Sequence, residues 1–158
     1  MTFFRSLQDS AFTDWFLGSD SIWTYPTVLT LHTIGLAILV GASIVVHLRV
    51  LSVGTGVPAR RLLPMYRFML YGFLINLATG VILFITQAAD RVVDPIFYLK
   101  LGSIGLALVL GLIVRRRAID PGPAGGESLS RTRVLSVAAL ALWTTAIVTG
   151  RLMAYLSK

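Results

Sequence analysis

"VLTLHTIGLAILVGASIVVHLRVLSVG", residues Val28 to Gly54, carries both histidines of the chain, His32 and His47, on an otherwise almost wholly apolar run. Its apolar part is as long as the ~20 residues that take a helix across a ~30 Å hydrocarbon layer. In hydrocarbon a backbone has to satisfy its own hydrogen bonds, so such a run is a helix and not a strand. Three similar runs follow, and together the four cover about Pro26–His47, Phe68–Gln87, Ile96–Val114 and Val134–Tyr155. The whole chain fits this pattern: 158 residues, 56% hydrophobic and only 13% charged, with a mean hydropathy of +0.81. An ordinary soluble domain of this size is far less apolar. The reading is an all-α protein, residues 1–158 as one integral membrane domain built on a four-helix transmembrane bundle.

Residues 1–24 read differently. Phe3, Phe4, Leu7, Phe12, Trp15, Phe16 and Leu17 are interrupted by Arg5, Asp9 and Asp14. That leaves no continuous apolar core for a secretory signal and predicts an amphipathic helix lying on the membrane surface. Trp15, Trp23, Tyr25 and Tyr155 fall where an interfacial aromatic belt is expected.

Basic residues set the orientation. Arg49, Arg60, Arg61 and Arg67 flank the first inter-span loop, and Arg115, Arg116, Arg117, Arg131 and Arg133 flank the third. The other side holds Asp9, Asp14, Asp20, Asp90 and Asp94 against Arg5, Arg91 and Lys158. The positive-inside rule puts the basic loops in the cytoplasm and both termini in the periplasm, as in a bacterial inner membrane protein. The net charge of +7 is then a topology signal, with some attraction to anionic lipid; it points to no nucleic acid. Without a cysteine the chain has no disulfide, no thiolate metal site and no covalent c-type haem attachment. The stretch "AIDPGPAGGESLS" is a Pro/Gly/Ser-rich linker.

Polar residues inside a span are costly and therefore informative. Counted at ~1.5 Å per residue, His32, Gln87, Lys100 and Arg151, one from each span, share the outer third of the bundle. Gly35, Leu39 and Ser43 follow His32 on its face; Ser103, Ala107 and Gly111 follow Lys100; Gly72, Asn76 and Gly80 lead toward Gln87. Small residues of this kind pack helices closely or leave room for a flat ligand, including at Gly35. His47 lies ~22 Å along the helix from His32, too far to share a metal ion. Beside Arg49 it reads as an interfacial histidine in reach of water, or as part of a second site with Met65 and Met69.

One intramembrane histidine with cations at its depth suits haem b, where imidazole binds the iron and lysine or arginine neutralises the propionates. His32 would be the axial ligand, with Lys100, Arg151, Gly35 and Gln87 around the cofactor. The second axial position would go to Lys100, to Met153, to a second copy's His32, or to nothing. Copper fits less well, since it wants several imidazole or sulfur ligands together. No buried carboxylate orients the histidine as a hydrolytic base.

The pattern "LHTIGLAILVG…HLR" with "PIFYLKLGSIGLAL" opening a later span resembles a group of small bacterial four-helix membrane proteins. It is more distantly similar to CopD-type copper-resistance proteins and HemJ-type protoporphyrinogen oxidases. The HemJ resemblance implies haem b and picks out His32, Arg49 and Lys100; it does not carry porphyrinogen oxidation over. The expected function is electron transfer between a membrane or periplasmic donor and an acceptor such as quinone. The alternatives are a non-catalytic anchor or assembly subunit of a larger redox complex or homo-oligomer, and a copper or solute transport component.

Overall fold

The computed structural model describes residues 2–18, 23–53, 56, 58–119 and 129–156. Asp20, Lys158 and residues 120–128 of the Pro/Gly/Ser-rich linker lie outside them. The described residues form α1 (Thr2–Gln8), α2 (Ala11–Gly18), α3 (Thr24–Val50), α4 (Leu63–Ile85), α5 (Ala88–Arg91), α6 (Pro95–Val114) and α7 (Leu129–Leu156). A 3-10 turn, Ala59–Leu62, precedes α4 and a π turn, Arg115–Ile119, follows α6. The four long helices are each long and apolar enough to cross a membrane. Their outward faces stay apolar: Leu74 is 50% exposed, Leu106 51% and Val148 48%. Such surfaces are stable against lipid and not against water. This is an all-α, multi-pass membrane protein.

Local chemistry fixes the ends. Asp94 accepts a hydrogen bond from the Ile96 amide at 2.8 Å, and Pro95 opens α6 where a missing amide is harmless. The chain leaves α3 through Ser52 in a left-handed conformation (φ 71°). Ser52 N then donates to Arg49 O and Val53 N to Leu48 O, closing the last carbonyls of the helix. At the N-terminus the single surface helix expected from the sequence is two. Ser10 breaks it, its hydroxyl accepting from Thr13 N at 3.4 Å as α2 begins.

The spans pair as two antiparallel hairpins, α3 with α4 and α6 with α7, joined where α3 packs on α7. The first hairpin is closed at a glycine crossing. A Cβ on Gly72 would lie 2.6 Å from Leu39 N, and one on Gly35 would lie 2.9 Å from Asn76 N. Only a missing side chain lets two backbones come this close. Leu39, Val40, Ala42, Met69, Ala107, Trp143 and Ala146 form the central core. Trp143 Nε1 donates to Ser43 Oγ at 2.8 Å across it, which satisfies both buried polar groups. Thr79, Thr86, Thr149 and Ser136 instead return their hydroxyls to carbonyls of their own helices.

The short helices sit over one end of the bundle. Gln8 Oε1 accepts from Ala89 N at 2.9 Å, Phe4 meets Phe84 edge-on, and Phe16 meets Tyr25 in the same way. This is the end that carries His32. Arg49, Arg60, Arg61, Arg115, Arg116 and Arg117 lie at the other.

Candidate functional site

At the α5 end all four spanning helices contribute to one cavity of about 290 Å³. His32 comes from α3, Gly80 from α4, Lys100 from α6 and Met153 from α7; Gln87 and Arg91 come from the link around α5. Phe84 and Phe97 also line it, stacked with ring centroids 5.4 Å apart and planes at 17°. Among the described residues no carboxylate does.

The histidine is held through one nitrogen. His32 Nδ1 lies 3.0 Å from Thr79 Oγ1, and that hydroxyl sends its own hydrogen to Ile75 O at 2.6 Å. With that hydrogen committed to Ile75, Thr79 accepts from an Nδ1–H, and in a neutral imidazole that tautomer leaves the lone pair on Nε2. Asn76 Nδ2 donates to His32 O at 2.8 Å and fixes the backbone at the same residue. The ring rests on Gly80, where a Cβ would stand 3.2 Å from His32 Cε1. Neutral, oriented and with a free lone pair, His32 is set up as a ligand or as a hydrogen-bond acceptor.

Two cations face it. Lys100 lies over Gly150, whose absent Cβ would be 3.6 Å from Lys100 Cε, and it has no acidic partner among the described residues. Arg91 Nη2 donates to Gln87 Oε1 and pairs with Asp94 at 3.6 Å. The cavity is therefore a site for an anionic or electron-rich ligand with an aromatic wall.

Several expected positions fall elsewhere. Arg151 is exposed and does not line the cavity, because the ~100° turn per residue carries it off the face of Gly150 and Met153. Arg91 stands where that second cation was expected. Gly35 is buried in the crossing with Asn76 and Gly72 and is a packing residue. Gln87 does line the cavity, but from the turn before α5, past the end of α4. Arg49 is where the sequence puts it, at the basic end of α3. Thr79, which decides the state of His32, carried no signal beyond being polar in an apolar span.

His47 departs most. It does not reach water: it is 0% exposed, and neither ring nitrogen has a hydrogen-bond partner among the described residues. Here α3 runs on to Val50, and the 3-10 turn before α4 and the π turn after α6 pack over its end, burying Val46, Leu62 and Ile119 as a second core. Met69 belongs to the central core, and Met65 packs against both.

Among the described residues no three histidine, cysteine or acidic side chains gather to hold a metal ion. No family of proteins, no curated protein and no solved structure matches the chain.

Proposed function

We propose that this multi-pass membrane protein binds haem b in the His32 cavity and serves electron transfer, with a quinone as the acceptor class. The observation that carries the reading is the free Nε2 of His32, left by the Nδ1–Thr79 hydrogen bond. Metal-binding histidines characteristically donate their other nitrogen in this way. A bare ion would find a single imidazole here, so further donors have to come with a cofactor. Lys100 and Arg91 would offer charge to propionates, and Lys100 or Met153 would be available to join His32 in holding the iron. Bound there, haem would supply one-electron chemistry. The resemblance to HemJ-type proteins supports the same His32–Lys100 pair. By the positive-inside rule the cavity faces the periplasm of a bacterial inner membrane.

Volume favours a second reading. About 290 Å³ is the lower edge of ordinary small-molecule pockets, and haem is larger than the ligands such a space encloses. A non-catalytic anchor or assembly subunit needs no cofactor of that size. Absorbance separates the two. Protein purified from haem-replete cells should show a Soret band that shifts on dithionite reduction, and His32→Ala should lose it. A colourless wild-type protein leaves the subunit reading standing. If Lys100 is a counter-ion, Lys100→Met lowers the midpoint potential with the spin state unchanged; if it is a ligand, a low-spin spectrum turns high-spin.

A further inference from the structure

We infer that the ligand of the His32 cavity enters sideways from the bilayer, between α4 and α6, with the Phe84–Phe97 stack as the gate. The other sides of the bundle are held by closer contacts. Between α3 and α4 the glycine crossing sets backbone against backbone. Between α6 and α7 the Lys100 side chain lies against Gly150, and α3 is tied to α7 by the Trp143–Ser43 hydrogen bond. Over the end of the bundle, Gln8 holds α5 and Phe4 meets Phe84. By contrast, α4 and α6 belong to different hairpins and hardly touch among the described residues.

At the His32 end that seam is spanned by two side chains, Phe84 and Phe97, which are also walls of the cavity. Further along it the helices stand apart around an apolar groove of about 190 Å³, lined by Phe73 and Leu108 and edged by the exposed Leu70 and Leu112. A backbone contact opens only when a helix moves, whereas an aromatic side chain swings aside about its own torsions. The stack is therefore the easiest way in. Such a route selects a flat amphiphile already dissolved in the membrane, apolar enough to pass two phenyl rings and electron-rich where it meets His32 and Lys100. For the identity of that amphiphile the inference rests on the haem reading. It also bears on size, because rings swung outward add room to about 290 Å³ on the side where only lipid has to give way.

The chain has no cysteine, so Met153→Cys sets a single thiol on the cavity wall at a position only 8% exposed. Leu83→Cys, on the α4 wall, gives a second reporter. In proteoliposomes with reagent on both faces, each thiol should react faster with bilayer-soluble benzyl methanethiosulfonate than with the impermeant sulfonatoethyl reagent. Both rates are taken relative to Phe3→Cys, which is exposed on α1. The anionic reagent is the stringent comparison, since Lys100 would draw it in from water. Phe97→Ala in the same background should raise the benzyl rate by about two- to tenfold, the worth of one aromatic pair, and leave the other rate unchanged. Gln8→Ala, which frees α5, should change neither. Faster reaction from water, acceleration by Gln8→Ala, or no effect of Phe97→Ala overturns the proposal. None of these readouts needs haem. A colourless protein whose thiol is reached from the bilayer loses the haem reading and keeps the route; a haem protein whose thiol is reached from water does the reverse.

Discussion

The two histidines of α3 have opposite fates. His32 is half-buried, its proton placed by Thr79 and its other nitrogen turned to a cavity shared by four helices. His47, on the same helix, is sealed with both nitrogens unpartnered among the described residues. An unmade hydrogen bond in a buried site costs ~1–3 kcal/mol, so His47 weakens the fold unless something outside the chain pairs with it. The contrast shows that burial alone does not fix what a histidine can offer. What separates His32 is a second residue that decides which nitrogen is free.

The largest blow to the His32 end should come from outside the cavity. Gly72→Leu drives a side chain into the Leu39 backbone and should cost at least the upper part of the ~1–3 kcal/mol typical of overpacking. Thermal unfolding in detergent measures it. A wild-type midpoint would show that the α3–α4 crossing is looser than its distances imply. Next comes His47→Leu, expected to stabilise by about 2 kcal/mol as the orphaned nitrogens are removed. A fall in stability would mean that His47 does have a partner, and the contrast with His32 would close. The smallest stability change, about 1 kcal/mol, belongs to Thr79→Val, which removes the hydroxyl that bonds both His32 and the Ile75 carbonyl. Its readout at the cavity is larger: losing such an orienting partner typically costs a metal ligand about tenfold in affinity or more. Unchanged haem retention in Thr79→Val would remove Thr79 from the account.

The spans were legible because 20 or so apolar residues in a row have one solution in lipid. The same hydropathy cannot show that Ser10 splits the N-terminal segment, which depends on one hydroxyl and one amide. Depth counting brings His32, Gln87 and Lys100 to one level, and the structure places them around one cavity. Depth says nothing about azimuth, so it could not separate Arg151 from Arg91. The burial of His47 was illegible for a different reason: α3 runs on to Val50 and keeps it inside the bundle, and hydropathy does not show how far a helix continues past its apolar run.

The glycine crossing also bears on tolerance, in the machinist's sense of how far a part can stray. A ligand-bearing side chain has to be held within ~0.5 Å to work. Gly35 is one helical turn from His32, and Asn76, which bonds the His32 carbonyl, lies against that glycine. Backbone in contact with backbone has no rotamers with which to absorb an error. The height of the imidazole in the bundle is therefore set by two residues that have no side chain at all.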